Sequence, residues 1–150
     1  MNELNKVAPI FYGITLVPPS AWKEYGFSLL TIAGSDGIVS DPELEWLTLE
    51  LGKHVGVPED IIADWEDFDY DNADLETLFN SFNSSFASFN KLLIYDAIRM
   101  SSADGEYALE EKEQVMEAAR ILKLSPEAVL AIEALVELEG VAAKLRMTVL

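Results

Sequence analysis

Apolar residues recur at intervals of three and four along almost the whole chain, the spacing of a buried helical face. Trp22, Tyr25, Leu29, Leu30 and Ile32 fall on one side of a first helix, with Ser20 placed to cap it. Asp41-Pro42-Glu43 reads as a helix start. Asp serves as N-cap, Pro takes the first helical position, and Glu sits near the positive end of the helix dipole. Leu44, Leu47, Leu51 and Val55 form the buried stripe of that helix, and Gly52 and Gly56 weaken its end. Val57-Pro58-Glu59 opens a short helix, and residues 64–74, aromatics alternating with acids, read as a connector. From Leu75 the stripe resumes with Leu78, Phe79, Phe82, Phe86 and Phe89, while Asn and Ser fill the other face. Asn90 is placed to cap a helix carrying Leu92, Leu93, Tyr95, Ile98 and Met100. Another helix runs from about Leu109 to Leu122, and Ser125-Pro126-Glu127 starts one more. After Gly140 the sequence is short, apolar and slightly basic. No segment shows strand alternation and there is no Gly/Ser linker, so the pattern predicts one all-α domain spanning residues 1–150.

A duplication underlies the pattern. At an offset of 68, Asp36-Gly37 meets Asp104-Gly105, Glu43 meets Glu111, Glu45 meets Glu113, and Pro58-Glu59 meets Pro126-Glu127. Apolar positions agree too: Leu30 with Ile98, Leu47 with Val115, Leu51 with Ala119, and Ile61-Ile62 with Val129-Leu130. No gap is needed between residues 27 and 62. Repeat one spans about 20–63 and repeat two about 88–131, each a helix-turn-helix unit closed by a Pro-initiated helix. Gly supplies the positive φ that stops a helix, and Asp accepts hydrogen bonds from nearby amides. The Gly-to-Glu spacing matches the second half of an EF-hand loop, but Ile32, Gly34, Met100 and Ser102 stand at the early ligand positions. Neither turn is a calcium loop of that kind.

Charge sharpens the picture. Of 150 residues, 27 are acidic and 10 basic, a net charge of −17 that disfavours nucleic acid and favours cations or a basic protein partner. Residues 36–76 carry 14 acids and one lysine, most of that excess. With no cysteine, thiol chemistry, disulfides and thiolate metal sites are excluded, and the single His54 leaves any metal dependent on oxygen ligands. No apolar run spans a bilayer. Val7–Val17 is mostly apolar, but Pro9 and Gly13 interrupt it and no small-residue cleavage site follows, so it reads as a packing segment of a cytoplasmic protein.

Four groups of residues carry candidate chemistry. Asp36, Glu43, Asp104 and Glu111 form an oxygen-ligand set for a divalent cation if the repeats bring them together; the plainer reading is that each satisfies backbone amides at a helix start. Glu50 and His54 lie one turn apart and Glu43 a heptad before Glu50, a weaker stripe that suits zinc, or else an exposed Glu–His pair. Asp67, Asp69, Asp71 and Asn72 open like a calcium loop, but Leu78 stands at the closing position, so they read as a solvated connector. The Phe79, Phe82, Phe86, Phe89 stripe and Trp46, which falls off the Leu44–Leu51 face and is expected to be part-exposed, either build core or line an interhelical cleft for an apolar or aromatic ligand or a partner helix. No nucleophile elbow or Ser–His pairing is present, and paired carboxylates alone do not assemble catalytic roles, so no catalytic residue is assigned and no enzyme is expected.

The doubled motif carries a resemblance. Ile32-Ala33-Gly34-Ser35-Asp36-Gly37 with Glu43, and Tyr95-Asp96-Ala97-Ile98-Arg99 leading to Ala103-Asp104-Gly105-Glu106-Tyr107 with Glu111, resemble the TerB-like family linked to tellurite resistance, over roughly residues 20–140. The resemblance implies a compact bundle of about seven helices with pseudo-twofold repeats. It also implies a bacterial, cytoplasmic, non-enzymatic protein of toxic-oxyanion or stress response. Such proteins carry an acidic surface proposed to bind metal ions and to dock on complexes at the inner membrane face. Asp36, Glu43, Asp104 and Glu111 match the motif and inherit that proposal, with Ca²⁺, Mg²⁺, Mn²⁺ or Zn²⁺ as the ion and no organic cofactor. Repeat one carries more acid around residues 41–50 than repeat two does at the matching stretch.

Overall fold

The structure is a computed structural model that describes residues 21–35, 37–81, 90–103 and 105–150. Ser20, the Val7–Val17 segment, Asp36, Phe82, Phe86, Phe89 and Asp104 lie outside the described residues. Among those described there are seven helices and no strand. Helix α1 is Trp22–Ala33. Helix α2 opens as an α-helix, Asp41–Glu45, and continues as a π-helix, Trp46–Lys53. Then follow α3 (Glu59–Glu66), a 3-10 turn (Tyr70–Asn72), α4 (Leu75–Ser81), α5 (Asn90–Ser101), α6 (Leu109–Ile121) and α7 (Pro126–Val149).

The first helix of each repeat forms the centre. Nine of the twelve residues of α1 and eight of the twelve of α5 are buried, so both are wrapped nearly all round by the other elements. They pack on each other, and each takes the Pro-initiated helix of its own half: α3 lies on α1 as α7 lies on α5. Leu29 and Leu30 from α1, Leu47 from α2, Trp65 from α3, Leu93 and Ile98 from α5, Val115 from α6 and Val129 from α7 meet in one core. Helix α7 is also tied down by polar contacts. The Tyr107 hydroxyl donates to Glu133 at 2.7 Å and the Tyr95 hydroxyl to Glu139 at 2.5 Å. Burial, then the neighbouring carboxylate, raises both phenols well above the ordinary tyrosine range, so both remain donors.

Local chemistry moves some boundaries. The N-cap of α2 is Ser40 and not Asp41. The Ser40 hydroxyl accepts the Glu43 N–H and the Glu43 carboxylate accepts the Ser40 N–H at 2.9 Å, a capping box that outcompetes the Asp-Pro start. Helix α3 runs to Glu66, into the expected connector, because Trp65 is a core side chain whose indole N–H donates to the Lys23 carbonyl at 3.1 Å. Gly140 does not stop α7, which runs on to Val149, 24 residues in all, since the alanines, leucines and glutamates around one glycine are strong helix formers.

The π-helix also corrects the repeat register. Both halves start in step: Gly37 N–H donates to the Gly34 carbonyl at 2.8 Å and Gly105 N–H to the Ser102 carbonyl at 3.0 Å, with φ of +100° and +93° at the two glycines. Past the π-helix they are one residue out of step. The left-handed residue that ends the second helix is Gly56 in one half and Lys123 in the other, an offset of 67. Ile62 therefore matches Val129, both buried, while Leu130 is exposed. A π-turn holds one more residue than the α-turn it replaces, and this is the inserted residue. The Pro58-Glu59 and Pro126-Glu127 match is a coincidence of sequence: Pro58 is an N-cap, whereas Pro126 lies inside its helix behind the N-cap Ser125.

Candidate functional site

Each Asp-Gly turn opens toward the second helix of the other repeat. Gly34, Ser35 and Gly37 of the first turn face Glu110, Glu113, Gln114 and Glu117 of α6 across a cleft of about 640 Å³. Ala103 of the second turn faces Pro42, Glu45, Trp46, Leu49 and Glu50 of α2 across a smaller cleft of about 310 Å³. At the repeat offset of 68 these two sets are the same positions, so the clefts are pseudo-symmetric mates.

The mates have diverged in charge. The connector borders the larger cleft and adds Asp71 and Asp74, so that among the described residues five carboxylates and no lysine or arginine line it. Tyr70 fixes the connector there: its hydroxyl accepts the Val39 N–H at 3.2 Å, and its ring lies so close to Gly34 that a Cβ would meet it at 2.3 Å. Asp74 caps α4, accepting the Thr77 hydroxyl at 2.7 Å and amide at 3.0 Å, and those bonds hold its carboxyl below the ordinary carboxylate range. Glu117 pairs with Arg120 at 2.6 Å, which lowers it likewise.

Next to the smaller cleft the chain supplies its own cation. The Arg99 guanidinium lies 5.2 Å from the centre of the Trp46 ring and 5.1 Å from that of Tyr95, and meets Asp96 at 3.3 Å. Asp96 is fully buried and also accepts the Tyr25 hydroxyl at 2.5 Å, joining α1 to α5. In the larger cleft Thr31 stands at the position of Arg99 and Gln114 at that of Trp46, and both line the open space.

A search of protein-family models and one of curated proteins give no match. Among solved structures, that of a tellurite resistance protein from Nostoc punctiforme superposes with a TM-score of 0.84 at 27% identity, covering 97% of this chain and 89% of that one. The chain is TerB-like.

The residues singled out from the sequence of this TerB-like chain have separate fates. Glu43 is buried against Ser40, and Glu111 accepts the Ala108 N–H at 3.1 Å, so both serve as caps. Asp36 and Asp104 lie outside the described residues. Glu50 and His54 are exposed while Glu43 is buried, because the π-helix between them breaks the 3.6-residue register that would have made one stripe. Among the described residues no three of His, Asp and Glu sit close enough to hold a metal ion directly. Trp46, expected part-exposed, is only 9% exposed, and Phe79 packs against the core. Asp71, read as solvated connector, lines the larger cleft.

Sequence reading missed the acidic face of α6 and the Asp96–Tyr25–Arg99 cluster. Glu110, Glu113 and Glu117 recur at three and four, a one-face signal visible in the sequence. Nothing local marks Asp96 as buried or pairs it with Tyr25, which is 71 residues away.

Proposed function

We propose that this TerB-like domain is a non-enzymatic cation-binding module of the toxic-oxyanion or stress response, and that its binding place is the larger cleft beside the first Asp-Gly turn. The observation that carries this reading is the set of five carboxylates around about 640 Å³, only Glu117 among them paired with an arginine, and no basic residue among the described residues of the lining. Carboxylates spread over such a volume suit a divalent cation that keeps part of its water shell, the habit of Mg²⁺ above all. The focused negative field of a cleft raises the local concentration of such ions.

Calorimetric titration with Mg²⁺, Ca²⁺, Mn²⁺ and Zn²⁺ tests it. Binding is expected to weaken by about tenfold in Glu110→Gln with Glu113→Gln, each exposed charge adding modestly to a shared field. Heats indistinguishable from dilution, or affinity unchanged in that variant, would remove the proposal.

A second reading is favoured by Arg99. One half of the molecule already holds a guanidinium beside the cleft that mirrors the open one. An arginine from a basic protein partner is the corresponding occupant of the larger cleft. Competition between an arginine-rich peptide and the metal, seen in the same titration, separates this reading from a simple ion site.

A further inference from the structure

Helix α7 is 24 residues and about 36 Å long, and only one side of it is used by the bundle. Val129 is buried and Ile132 and Val136 pack against the core, while the residues after Gly140 are exposed save for partial cover of Ala142. With about 3.6 residues per turn, Ala134, Leu135, Leu138, Val141, Ala142, Leu145 and Val149 form a stripe that the bundle leaves uncovered, its Ala134 and Val141 edge bordering a cleft shared with Ile98 and Tyr107. No charged residue interrupts it. Its large members are 47–66% exposed, an uncommon way to leave leucine and valine.

The charges on the two edges of the stripe say what covers it. One edge carries Glu137 and then Lys144; the other carries Glu139 and then Arg146. On both edges acid lies toward the start of the helix and base toward its end. Two such helices laid antiparallel bring like edges together, so Glu137 faces Lys144 of the second copy and Glu139 faces its Arg146, each pairing occurring twice. In a parallel pair acid would face acid and base would face base. The apolar positions obey the same register. With Val141 opposite Ala142 at the centre, Leu138 faces Leu145 and Ala134 faces Val149, and the small Ala142 lets the backbones approach. Glu139 keeps one carboxylate oxygen for this contact while the other accepts from Tyr95. We propose that α7 is a self-association surface and that two copies of this chain pair antiparallel through it, forming a twofold dimer.

Sedimentation equilibrium of the full chain over a roughly hundredfold range of concentration tests this. The expected result is a rise from the 16.6 kDa monomer to twice that mass. Leu138→Glu with Leu145→Glu is expected to weaken association at least about thirtyfold, as loss of central anchors does. Both sites are exposed, so the helical circular dichroism stays unchanged. The cysteine-free chain permits an orientation test. Ala142→Cys, near the twofold axis, should cross-link to itself, whereas Val149→Cys should cross-link to Ala134→Cys and not to itself. A monomer at every concentration overturns the proposal, whether residues 1–20 or a lipid vesicle surface prove to cover the stripe. So does association indifferent to the double substitution, or self-linking of Val149→Cys as ready as that of Ala142→Cys.

Discussion

Gly26 shows how tightly one residue sets the packing of a helix pair. It sits on the buried side of α1 where α3 crosses, and a Cβ there would lie 2.1 Å from the Trp65 indole. Trp65 cannot swing away without giving up its bond to the Lys23 carbonyl and its place in the core. Gly26→Ala is therefore expected to destabilise the fold by about 2–3 kcal/mol, at the upper end of overpacking costs, although alanine is the better helix former. Urea unfolding checks it, and an unchanged midpoint would show that the two helices are free to separate. In the sequence Gly26 is one more glycine in an apolar run. Its role depends on a tryptophan 39 positions later, which no local pattern links to it. The Asp-Gly turns are a mixed case: Gly37 and Gly105 take the positive φ their context predicts, but in the turn after each helix and not as its stop, since α1 ends at Ala33 with Gly34 as C-cap and α5 ends at Ser101.

At the scale of elements the departure from the expected pattern is the π-helix. The core residues Leu47 in α2 and Val55 just past its end are eight positions apart, whereas their mates, Val115 in α6 and its C-cap Leu122, are seven apart. The longer spacing is compatible with one buried face only because the π-helix absorbs a residue. Deleting the exposed Glu50 is thus expected to convert α2 to regular α-helix and leave a folded protein. Deleting Glu113 from α6 turns Ala118 and Ala119 by about 100° out of the core and is expected to unfold it. Thermal melts followed by circular dichroism compare the two; equal damage would count against the insertion. The helices themselves were legible from periodicity and from their starts, as at Ser125-Pro126. The shift in register was not, because an ungapped alignment keeps its best-looking matches even where the chain has slipped by one.

For the whole molecule, the electrostatic balance dominates. A net charge of −17 on 150 residues, much of it around one open cleft, makes the folded state repel itself. Added monovalent salt is expected to raise the melting temperature by several degrees between roughly 0.01 and 0.15 M, as the screening length falls from about 30 to 8 Å. Differential scanning calorimetry measures it, and a melting temperature that falls with salt would mean that favourable ion pairs outweigh the repulsion. The acidic character and the doubled turns were plain from residue counts and spacing. Which acids share a cleft was decided by the crossing of the halves, which sets the first turn against α6 and the second against α2.

The amino-acid order alone determined the helices, the two related halves and the sign of the surface charge, since each follows from interactions within a few positions along the chain or from composition. Tertiary structure decided where Glu43 and Glu111 spend their carboxylates, that Asp96 is buried beneath Tyr25, and that one cleft stands open while its mate lies beside the chain's own arginine. Those outcomes depend on helices docking across long separations, where burial and geometry fix which partner a side chain meets.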